Sequence, residues 1–387
     1  KSLELIRLFK KMGASVKTVV TKNAKKFVTD LSIASLSQDK VYSNLFNHEN
    51  EAEMDHISLS RWADLILIAP ITANTISKLS HGLADDLAST LVLASNKQVF
   101  LAPAMNVRMW EHASNKKNVN KLISYGYRLI GPEIGDMACG EYGEGKMTEP
   151  QNIINYILNY FENLRKNKKL KALVTAGPTQ EKIDPVRFIS NKSSGKQGYE
   201  IAIALDKLGI KTTLISGPSN FISPKSIKVK KITSADEMYN EVKKTLPVDL
   251  AVCAAAVTDV KPTERNKDKI KKNSLDLKSI NVIKNRDILE FISKNNKNRP
   301  RVVAGFSAET QNVNKNSFIK LKDKHCDLIF ANDVSKNGIG FNSEYNKVSV
   351  IDKRGKIKII PKSKKSFIAN KIAQILLDKL VDDRNIN

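Results

Sequence analysis

The chain contains 387 residues, 41% of them hydrophobic and 27% charged, which is the composition of a globular protein. A chain of this length exceeds one ordinary hydrophobic core, so we expect two domains. No apolar run approaches the roughly 20 residues that a membrane helix needs, and we find no signal-peptide pattern. The net charge of +24, from 64 Lys and Arg against 40 Asp and Glu, raises the question of a nucleic-acid partner.

The basic residues are spread along the chain, and only one short cluster, LRKNKKLK, stands out. A nucleic-acid-binding surface would concentrate positive charge on one face, and aromatic residues make up only 6% of the chain. We therefore favour solvated surfaces and anionic small substrates over nucleic acid. The three cysteines lie far apart without metal-ligand spacing, which is typical of a protein in the reducing cytoplasm.

The first half of the chain alternates helix and strand patterns. It opens on a helix pattern rather than on a strand, so we expect the amino end to be truncated. Short apolar runs predict buried parallel strands, namely SVKTVVT, DLILIAP, QVFLAP and YRLIGP. A helix pattern, NIINYILNYFENL, closes this half. We predict a first domain over residues 1–164.

The second half follows a charged connector at residues 165–171. Strand patterns recur in ALVTAG, TTLISG, DLAVCAAAV, RVVAGF and CDLIFAND, and a strand pair, KVSVID and KIKIIP, precedes a final helix. Helix patterns lie between the strands. Both halves therefore read as Rossmann-like three-layer α/β domains, and the second, over residues 172–387, should have a mainly parallel sheet.

Polar side chains follow two strands of the first half. Thr72, Ala73, Asn74 and Thr75 form a strand-to-helix junction that could hold a phosphate, although helix capping explains them as well. Asn106 follows the next strand in APAMNVRMW and could bind a carboxylate. A turn Asn that bonds its own backbone is the alternative.

Two titratable residues add to this pattern. Cys139 lies in the glycine-rich stretch GDMACGEYGEGKM, which is unlike the setting of a core thiol. It could deliver a proton into a site, although an incidental exposed thiol is the alternative. His56 lies early in a helix-like run, and imidazole moves a proton readily near neutral pH. A lone His remains a weak indicator of catalysis.

Taken together, these segments resemble a known family. DHISLSRWAD, APITANTISKLSHGLADD, APAMNVRMW and ACGEYGEGKM occur in this order and resemble the phosphopantothenoylcysteine decarboxylase half of the bifunctional coenzyme A biosynthesis flavoproteins. The resemblance implies a flavodoxin-like domain in which residues 72–75 contact FMN. It makes His56 the catalytic base and Cys139 the proton donor, with Asn106 and Met109 at the substrate.

The chemistry explains why such an enzyme needs a flavin. Loss of CO₂ from a cysteinyl carboxylate leaves a carbanion without an adjacent electron sink, and a flavin supplies one by oxidising the carbon that bears the thiol. Side chains then need only provide a base and return a proton. The family's first strand and its glycine-rich FMN-binding turn precede the point where this sequence begins. A ligase with a vestigial flavin half is therefore the alternative.

In the second half, a Ser- and Gly-rich stretch, ISNKSSG, lies between a strand and a helix pattern, where open α/β sheets bind phosphates. With TAGPTQEKIDPVRF before it, the stretch resembles the signature of phosphopantothenate–cysteine ligase. The resemblance implies that Asn191 handles the phosphopantothenoyl group and its acyl-cytidylate. Ser193, Ser194 and Gly195 are then further substrate contacts.

Small residues at a strand end are candidates for nucleotide binding. Cys253, Ala254 and Ala255 would let a base or ribose approach the backbone closely, and Asp259 follows them. A tightly packed strand with a capping Asp is the alternative. Phe306 could wall the base, but it fits an ordinary core aromatic nearly as well.

Lysines could supply the charge that a triphosphate needs. The family pattern Lys-Ile-Lys-Lys makes Lys269 the candidate cation for acyl transfer, with Lys271 and Lys272 beside it, although a lysine run is usually a solvated surface. Lys320 and Lys324 share one helix face, where like charges disfavour the helix unless an anion compensates them. The family uses this pair for the triphosphate.

The segment KNRDIL stands where the family has Asn-Pro-Asp-Ile. Arg286 replaces the Pro, while Asn285, Asp287 and Ile288 are kept, so contact with CTP is still expected. The nucleotide implies Mg²⁺, which is usually held through phosphate oxygens, and the sequence names no metal ligand. The family also implies a homo-oligomer built from flavin-domain trimers and ligase-domain dimers.

The sequence therefore predicts a bifunctional enzyme of coenzyme A biosynthesis. It would ligate 4′-phosphopantothenate to cysteine with CTP and then decarboxylate 4′-phosphopantothenoylcysteine to 4′-phosphopantetheine with FMN. Two alternatives remain, a chain with ligase activity only and a flavin-binding regulatory subunit. The second would not need Asn191, Asp259 and Lys269 together.

Overall fold

The computed structural model describes residues 1–45, 55–271, 279–295, 297–335, 340 and 343–382. The chain forms two compact units, Lys1–Phe161 and Glu162–Asn387. Helices alternate with strands in both units, which confirms the predicted α/β class.

The elements of the first unit follow the predicted alternation. The helices are α1 Ser2–Lys11, α2 Asp30–Ser37, α3 Asp55–Trp62, α4 Ala73–His81, α5 Leu87–Leu93, α6 Val107–Glu111, α7 Ala113–Ser124 and α8 Pro150–Asn167. The strands are β1 Thr18–Val19, β2 Val41–Tyr42, β3 Leu65–Ile71, β4 Gln98–Pro103, β5 Arg128–Leu129, β6 Glu133–Asp136 and β7 Tyr142–Lys146.

The sheet of the first unit is parallel in the order β3-β4-β5. Its strand β4 is covered on both faces, because Val99 and Leu101 belong to one hydrophobic cluster whereas Phe100 and Ala102 belong to another. A strand that is buried on both sides reads as a continuous apolar run, which is why QVFLAP predicted it correctly. The strands β1 and β2 form a separate parallel pair.

The glycine-rich stretch that carries Cys139 contains two strands that the sequence analysis did not predict. Strands β6 and β7 pair there as an antiparallel hairpin. The hairpin lies close to the turn after β4, because a Cβ on Gly143 would come within 2.9 Å of a Val107 methyl group. Glycine has low strand propensity, so the sequence pattern did not indicate these strands.

The second unit contains more strands than the patterns predicted. Its helices are α9 Lys196–Lys207, α10 Ala235–Thr245, α11 Ile288–Ser293, α12 Val313–Lys324 and α13 Lys365–Asp382. Its strands are β8 Lys171–Ala176, β9 Gln180–Lys182, β10 Phe188–Ser190, β11 Lys211–Ser216, β12 Lys228–Lys231, β13 Leu250–Cys253, β14 Val260–Pro262, β15 Val282–Lys284, β16 Val302–Glu309, β17 Leu328–Asp333, β18 Tyr345–Asp352 and β19 Ile357–Lys364.

The central sheet of this unit has eight strands in the order β12-β11-β8-β13-β16-β17-β18-β19. The pairs from β12 to β17 are parallel, and β18 and β19 pair antiparallel at one edge. The chain therefore moves outward from β8 in one direction and outward from β13 in the other. In such doubly wound sheets, ligands bind at the carboxyl ends of the two strands where the order reverses.

Two sequence predictions need adjustment. The strand predicted in DLAVCAAAV ends at Cys253, because the next backbone N–H groups bond to the end of β8 and its turn. Ala254 N–H donates to Thr175 O at 3.1 Å, and Ala256 N–H donates to Gly177 O at 2.9 Å. In the predicted connector, residues 165–167 form the end of α8 and Lys171 begins β8.

Candidate active sites in the two units

The first unit places the predicted FMN contacts where β3 gives way to α4. Thr72 caps the helix, since its Oγ1 accepts the Thr75 N–H at 3.4 Å. The Ile76 and Leu79 side chains anchor α4 in the core. Thr72 and Asn74 are exposed, so hydroxyl, amide and helix N–H groups face outward together. This donor set fits the phosphate and hydroxyl groups of FMN, and it also satisfies the capping interpretation.

Asn106 follows β4 at the same edge of the sheet. Ala104 N–H donates to Ile71 O at 3.1 Å, which aligns the turns after β3 and β4. The Asn106 carboxamide is fixed at its oxygen, which accepts the Arg108 N–H at 2.7 Å. Its Nδ2 donates to Cys139 Sγ at 3.3 Å. The structure thus brings together two residues that the sequence predicted separately.

Glu141 is the residue that the sequence analysis missed at this position. Its Oε2 accepts a hydrogen bond from Asn106 Nδ2, and the Cys139 Sγ lies 3.9 Å from the same oxygen. Its Oε1 lies 3.9 Å from Arg108 Nε. The available signal was an acidic residue two positions after Cys139. The pattern did not show that both point at Asn106, because the hairpin was not predicted.

His56 makes no hydrogen bond to this group among the described residues. It is the second residue of α3, and its Nδ1 is buried without a hydrogen-bond partner in the same part of the chain. Met109 lies on α6 with 49% of its surface exposed. The predicted roles of His56 and Met109 stay predictions.

In the second unit, Asn191 links the loop after β10 to the segment after β13. Asn191 Nδ2 donates to Val257 O at 2.9 Å. The Ser190 hydroxyl donates to Thr179 O at 2.7 Å, which holds the loop to the turn after β8. The Asn191 side chain therefore lies at the reversal point of the sheet, next to the segment that follows β13.

Ser193, Ser194 and Gly195 lead into α9. The Ser193 Oγ accepts the Gly195 N–H at 3.2 Å, and Gly195 has a φ of 79°, which favours glycine. A Cβ on Gly195 would lie 3.0 Å from the backbone of Gly177. Gly195 at the N-cap offers no side-chain cap, and the Lys196 N–H donates to Ser194 Oγ at the long distance of 3.5 Å, so the N–H groups after it are available to an anion.

The small residues after β13 line the neighbouring strand end. Ala254 and Ala255 donate their N–H groups to the Thr175 O at 3.1 Å and to its Oγ1 at 3.3 Å. Burial raises the pKa of the Cys253 thiol to about 12, so it stays protonated near neutral pH. Cys253 can therefore form a wall of the site, but it does not supply a thiolate.

Asn285 and Asp259 are joined by the backbone. Asn285 N–H donates to Asp259 O at 2.8 Å, and Asn285 Nδ2 donates to Thr258 O at 2.9 Å. The Asp259 residue is exposed. Arg286, which stands in the place of the family's Pro, lies 4.9 Å above the ring of Tyr239. This cation–π contact ties the segment to α10, which carries Tyr239.

One lysine of the pair on α12, Lys324, already forms ion pairs with carboxylates of the same unit. Asp287 caps α11, which starts at the buried Ile288, and its carboxylate lies 2.9 Å from Lys324 Nζ. The hydrogen bond to Asp287 raises the pKa of Lys324. Within the described residues Lys320 makes no ion pair. The anion expected to compensate the two lysines is therefore partly supplied by Asp287 and Glu290.

Lys269 is exposed, and the residue after it is fixed from both sides. Ile270 N–H donates to Asp184 Oδ2 at 3.3 Å, and Ile270 O accepts from Arg187 Nη1 at 3.2 Å. Burial opposes ionisation of Asp184, but N–H donors from Val186, Arg187 and Ile270 bring its pKa below the ordinary value. The contacts of Asp184 and Arg187 with the Ile270 backbone are called the Asp184 clamp.

The sequence analysis missed the Asp184 clamp, although an Asp three residues before an Arg in IDPVR was its signal. Lys271 is exposed, and Lys272 lies outside the described residues. Phe306 lies on β16 with its ring 5.3 Å from that of Phe330, which favours the core interpretation for this residue.

Among the described residues, no group of three or more His, Cys, Asp or Glu side chains could hold a metal ion. In the described part of the chain, no helix is both long and apolar enough to cross a membrane.

Known proteins resemble the chain over nearly its whole length. The family model "Flavoprotein" matches residues 1–162, and the model "DNA/pantothenate metabolism flavoprotein C-terminal domain" matches residues 167–380. The coenzyme A biosynthesis bifunctional protein CoaBC of Haemophilus influenzae is 41% identical over 97% of this chain and 94% of its own length. The CoaBC protein of Escherichia coli is 38% identical over 100% and 95%.

The chain belongs to this family of bifunctional coenzyme A biosynthesis proteins. The predicted family, fold class and bifunctional enzyme, with a decarboxylase half and a ligase half, are therefore confirmed. No comparison supports the alternative of a ligase with a vestigial flavin half.

Two solved structures are similar to parts of this chain. The C-terminal domain of a CoaBC protein is 32% identical and covers 56% of this chain and 99% of its own, with a TM-score of 0.47. A mutant PPC decarboxylase in complex with pantothenoylaminoethenethiol is 34% identical and covers 42% of this chain and 91% of its own, with a TM-score of 0.39.

Proposed function

We propose that this chain catalyses two successive steps of coenzyme A biosynthesis. Residues 172–387 join 4′-phosphopantothenate to cysteine with CTP, and residues 1–164 decarboxylate the product to 4′-phosphopantetheine. The proposal rests above all on the hydrogen bond from Asn106 Nδ2 to Cys139 Sγ in the first unit, in a chain that belongs to this family. A carboxylate-binding amide beside a thiol is the pair that a cysteine decarboxylase needs.

In the first unit, the FMN supplies the electron sink when it is bound. The hydroxyl and amide groups of residues 72–75, together with the α4 N–H groups, hold its polar groups. Asn106 binds the substrate carboxylate through Nδ2, while its oxygen stays bonded to the Arg108 N–H. Cys139 returns a proton from Sγ, and His56 acts as the base.

In the second unit, a carboxylate oxygen of 4′-phosphopantothenate attacks the α-phosphorus of CTP and releases pyrophosphate. The amine of cysteine then attacks the acyl-cytidylate and releases CMP. We assign the phosphopantothenoyl group to Asn191 and the α9 start, and the nucleotide to the segments after β13 and before α11. Lys269 stabilises the charge that develops during acyl transfer.

Triphosphate binding rests on Lys320 and Lys324 in this proposal. Lys320 is available directly, whereas Lys324 exchanges its contact with Asp287 for the nucleotide. The Mg²⁺ ion comes with the triphosphate and is held mainly through phosphate oxygens. This fits the absence of a ready metal-ligand group from the described residues.

The remaining expectations concern assembly and location. The family resemblance implies flavin-domain trimers and ligase-domain dimers, so we propose a homo-oligomer. The three cysteines are free in the structure, which fits the reducing cytoplasm.

Two measurements test the proposed function. An absorbance spectrum of the purified chain should show a flavin band in the blue, with FMN released on denaturation. Pyrophosphate release should depend on CTP, 4′-phosphopantothenate and, for turnover, cysteine. A colourless chain that gains no band with added FMN would contradict the decarboxylase assignment, and pyrophosphate release without 4′-phosphopantothenate would contradict the ligase assignment.

A further inference from the structure

The Glu141 carboxylate lies where the proposed function puts the carboxylate of the substrate. Its Oε2 accepts from Asn106 Nδ2, the amide group assigned to the substrate. The same amide faces the Cys139 thiol at 3.3 Å. Arg108 Nε lies 3.9 Å from the other Glu141 oxygen. The Glu141 carboxylate therefore makes the contacts that the carboxylate of a bound substrate would make.

The backbone fixes Glu141 in this position. The turn that carries it is closed, because Met137 N–H donates to Glu141 O at 3.0 Å and Gly140 N–H donates to Met137 O at 2.9 Å. The strand after it is held to the turn after β4, since Met105 N–H donates to Gly145 O at 3.1 Å. The contact with Asn106 is therefore built into the hairpin.

We propose that Glu141 is a positioning residue that occupies the Asn106 amide until the substrate carboxylate displaces it. This inference rests on the proposed decarboxylase function. Asn106 Nδ2 carries two N–H groups, and Cys139 Sγ and Glu141 Oε2 accept from them. A substrate carboxylate can therefore bind this amide only when one of the two leaves, and repulsion between two carboxylates moves Glu141 rather than the thiol. The movement also takes a negative charge away from the Cys139 sulfur, which lies 3.9 Å from Glu141 Oε2.

A proton relay between Cys139 and Glu141 is the competing interpretation. Their 3.9 Å separation is long even for a sulfur hydrogen bond, whereas Asn106 contacts Glu141 directly. Geometry therefore favours competition for the amide. The two interpretations differ in what they change, since competition acts on substrate affinity and a relay acts on kcat.

The first test measures the reactivity of the Cys139 thiol and requires neither flavin nor substrate. Cys139 is exposed, Cys253 is partly buried and Cys326 is buried, and burial raises the pKa of the last two to about 12. Iodoacetamide at neutral pH should therefore modify Cys139 first, and mass spectrometry of the alkylated peptides follows this residue separately. Glu141→Gln and Glu141→Ala should speed alkylation about threefold to tenfold, because they remove a negative charge 3.9 Å from the sulfur and the thiolate is the form of cysteine that reacts.

Two matched variants control this test. Glu141→Asp keeps the charge and should stay near the wild-type rate. Glu144→Gln removes an exposed carboxylate from the same hairpin and should leave the rate unchanged. An unchanged alkylation rate in Glu141→Ala would overturn the proposal.

The second test compares two ligands by calorimetry on the FMN-loaded chain that carries Cys139→Ala, in which turnover of the substrate during the titration should be about 1000-fold slower. Adding Glu141→Gln to this chain should tighten the binding of 4′-phosphopantothenoylcysteine about threefold to tenfold, while the affinity for 4′-phosphopantetheine, which lacks the carboxylate, should not change. Equal affinities, with a lowered kcat in Glu141→Gln alone, would assign Glu141 to proton transfer and overturn the proposal. If the Cys139→Ala chain binds neither ligand, the decarboxylase function itself is wrong, and the inference fails with it whatever the alkylation rates.

Discussion

The two candidate sites are held together in different ways. In the first unit, Asn106, Cys139 and Glu141 contact one another through their side chains on an exposed hairpin. In the second unit, Asn191 and Asn285 donate to main-chain oxygens of Val257 and Thr258. A ligand can displace a side chain from another side chain, but it cannot readily displace the main chain. We infer that the first site rearranges around its substrate, whereas the second is largely preformed.

The largest effect is expected at the thiol of the first site. Cys139→Ala removes the proton donor, and decarboxylation of supplied 4′-phosphopantothenoylcysteine should fall about 1000-fold, within the range of general acid catalysis. Pyrophosphate release by the same sample should not change, which provides an internal control. Equal losses of both activities would show damage to the fold instead and would contradict the assigned role.

A somewhat smaller loss is expected for the cation of the second site. Lys269→Gln should lower CTP-dependent ligation about 100- to 1000-fold, as for removal of one preorganised electrostatic group. FMN binding and decarboxylation of the supplied substrate should stay at wild-type levels. Lys267→Gln, two residues earlier and also exposed, is the matched control. A wild-type ligation rate in Lys269→Gln would remove this residue from the mechanism.

The Asp184 clamp tests whether the second site is preformed. Asp184→Asn weakens the hold on the Ile270 backbone and shifts Lys269, so ligation should fall about 100-fold, which is the usual cost of misplacing a catalytic group. Asp323→Asn, which changes an exposed carboxylate of α12, should have no effect. If both variants behave like wild type, Lys269 does not depend on the clamp.

The same residue has a predictable pH dependence. Because the pKa of Asp184 is lowered in the folded state, its contribution to stability is present above the ordinary Asp pKa of about 3.9 and is lost as pH falls through the lowered value. The free energies of unfolding of wild type and Asp184→Asn should therefore differ at neutral pH and converge in strong acid. Denaturant titrations at several pH values measure this difference.

The smallest effect separates the two lysines of α12. Lys320→Gln should raise the KM for CTP about tenfold, while Lys324→Gln should raise it only about threefold. Lys324 must leave Asp287 before it can bind the nucleotide, and the loss of that partly exposed ion pair, about 1 kcal/mol or less, offsets part of what Lys324 contributes to CTP binding. Lys322→Gln, on the same helix beside Phe318, is the control and should keep the wild-type KM. The reverse order would show that Lys324 leaves Asp287 at little cost.

The sequence predicted the strands that are buried on both faces, because such strands give a continuous run of apolar residues. β4 and β8 are buried on both faces and read as apolar runs, so their ends and the residues after them were located correctly. Glu141 was missed because it depends on a hairpin of glycines whose pairing comes from tertiary contact with the turn after β4. Asp184 was missed for a similar reason, since its partner Ile270 lies far along the chain.

For some site residues the sequence left two interpretations open, and only the structure provides contacts that favour one of them. Lys320 and Lys324 share a helix face as predicted, but the sequence could not show that, among the described residues, Asp287 pairs with Lys324 and not with Lys320. The sequence left Phe306 open between a base-binding wall and the core, and its contact with Phe330 favours the core.

Coupled turnover tests the bifunctional assignment most directly. The purified chain is incubated with FMN, Mg²⁺, CTP, 4′-phosphopantothenate and cysteine, and pyrophosphate and CO₂ are measured together. We expect CO₂ release to approach one equivalent per pyrophosphate, with 4′-phosphopantetheine as the final product. Accumulation of 4′-phosphopantothenoylcysteine without CO₂, or no pyrophosphate at all, would contradict the assignment of both activities to this chain.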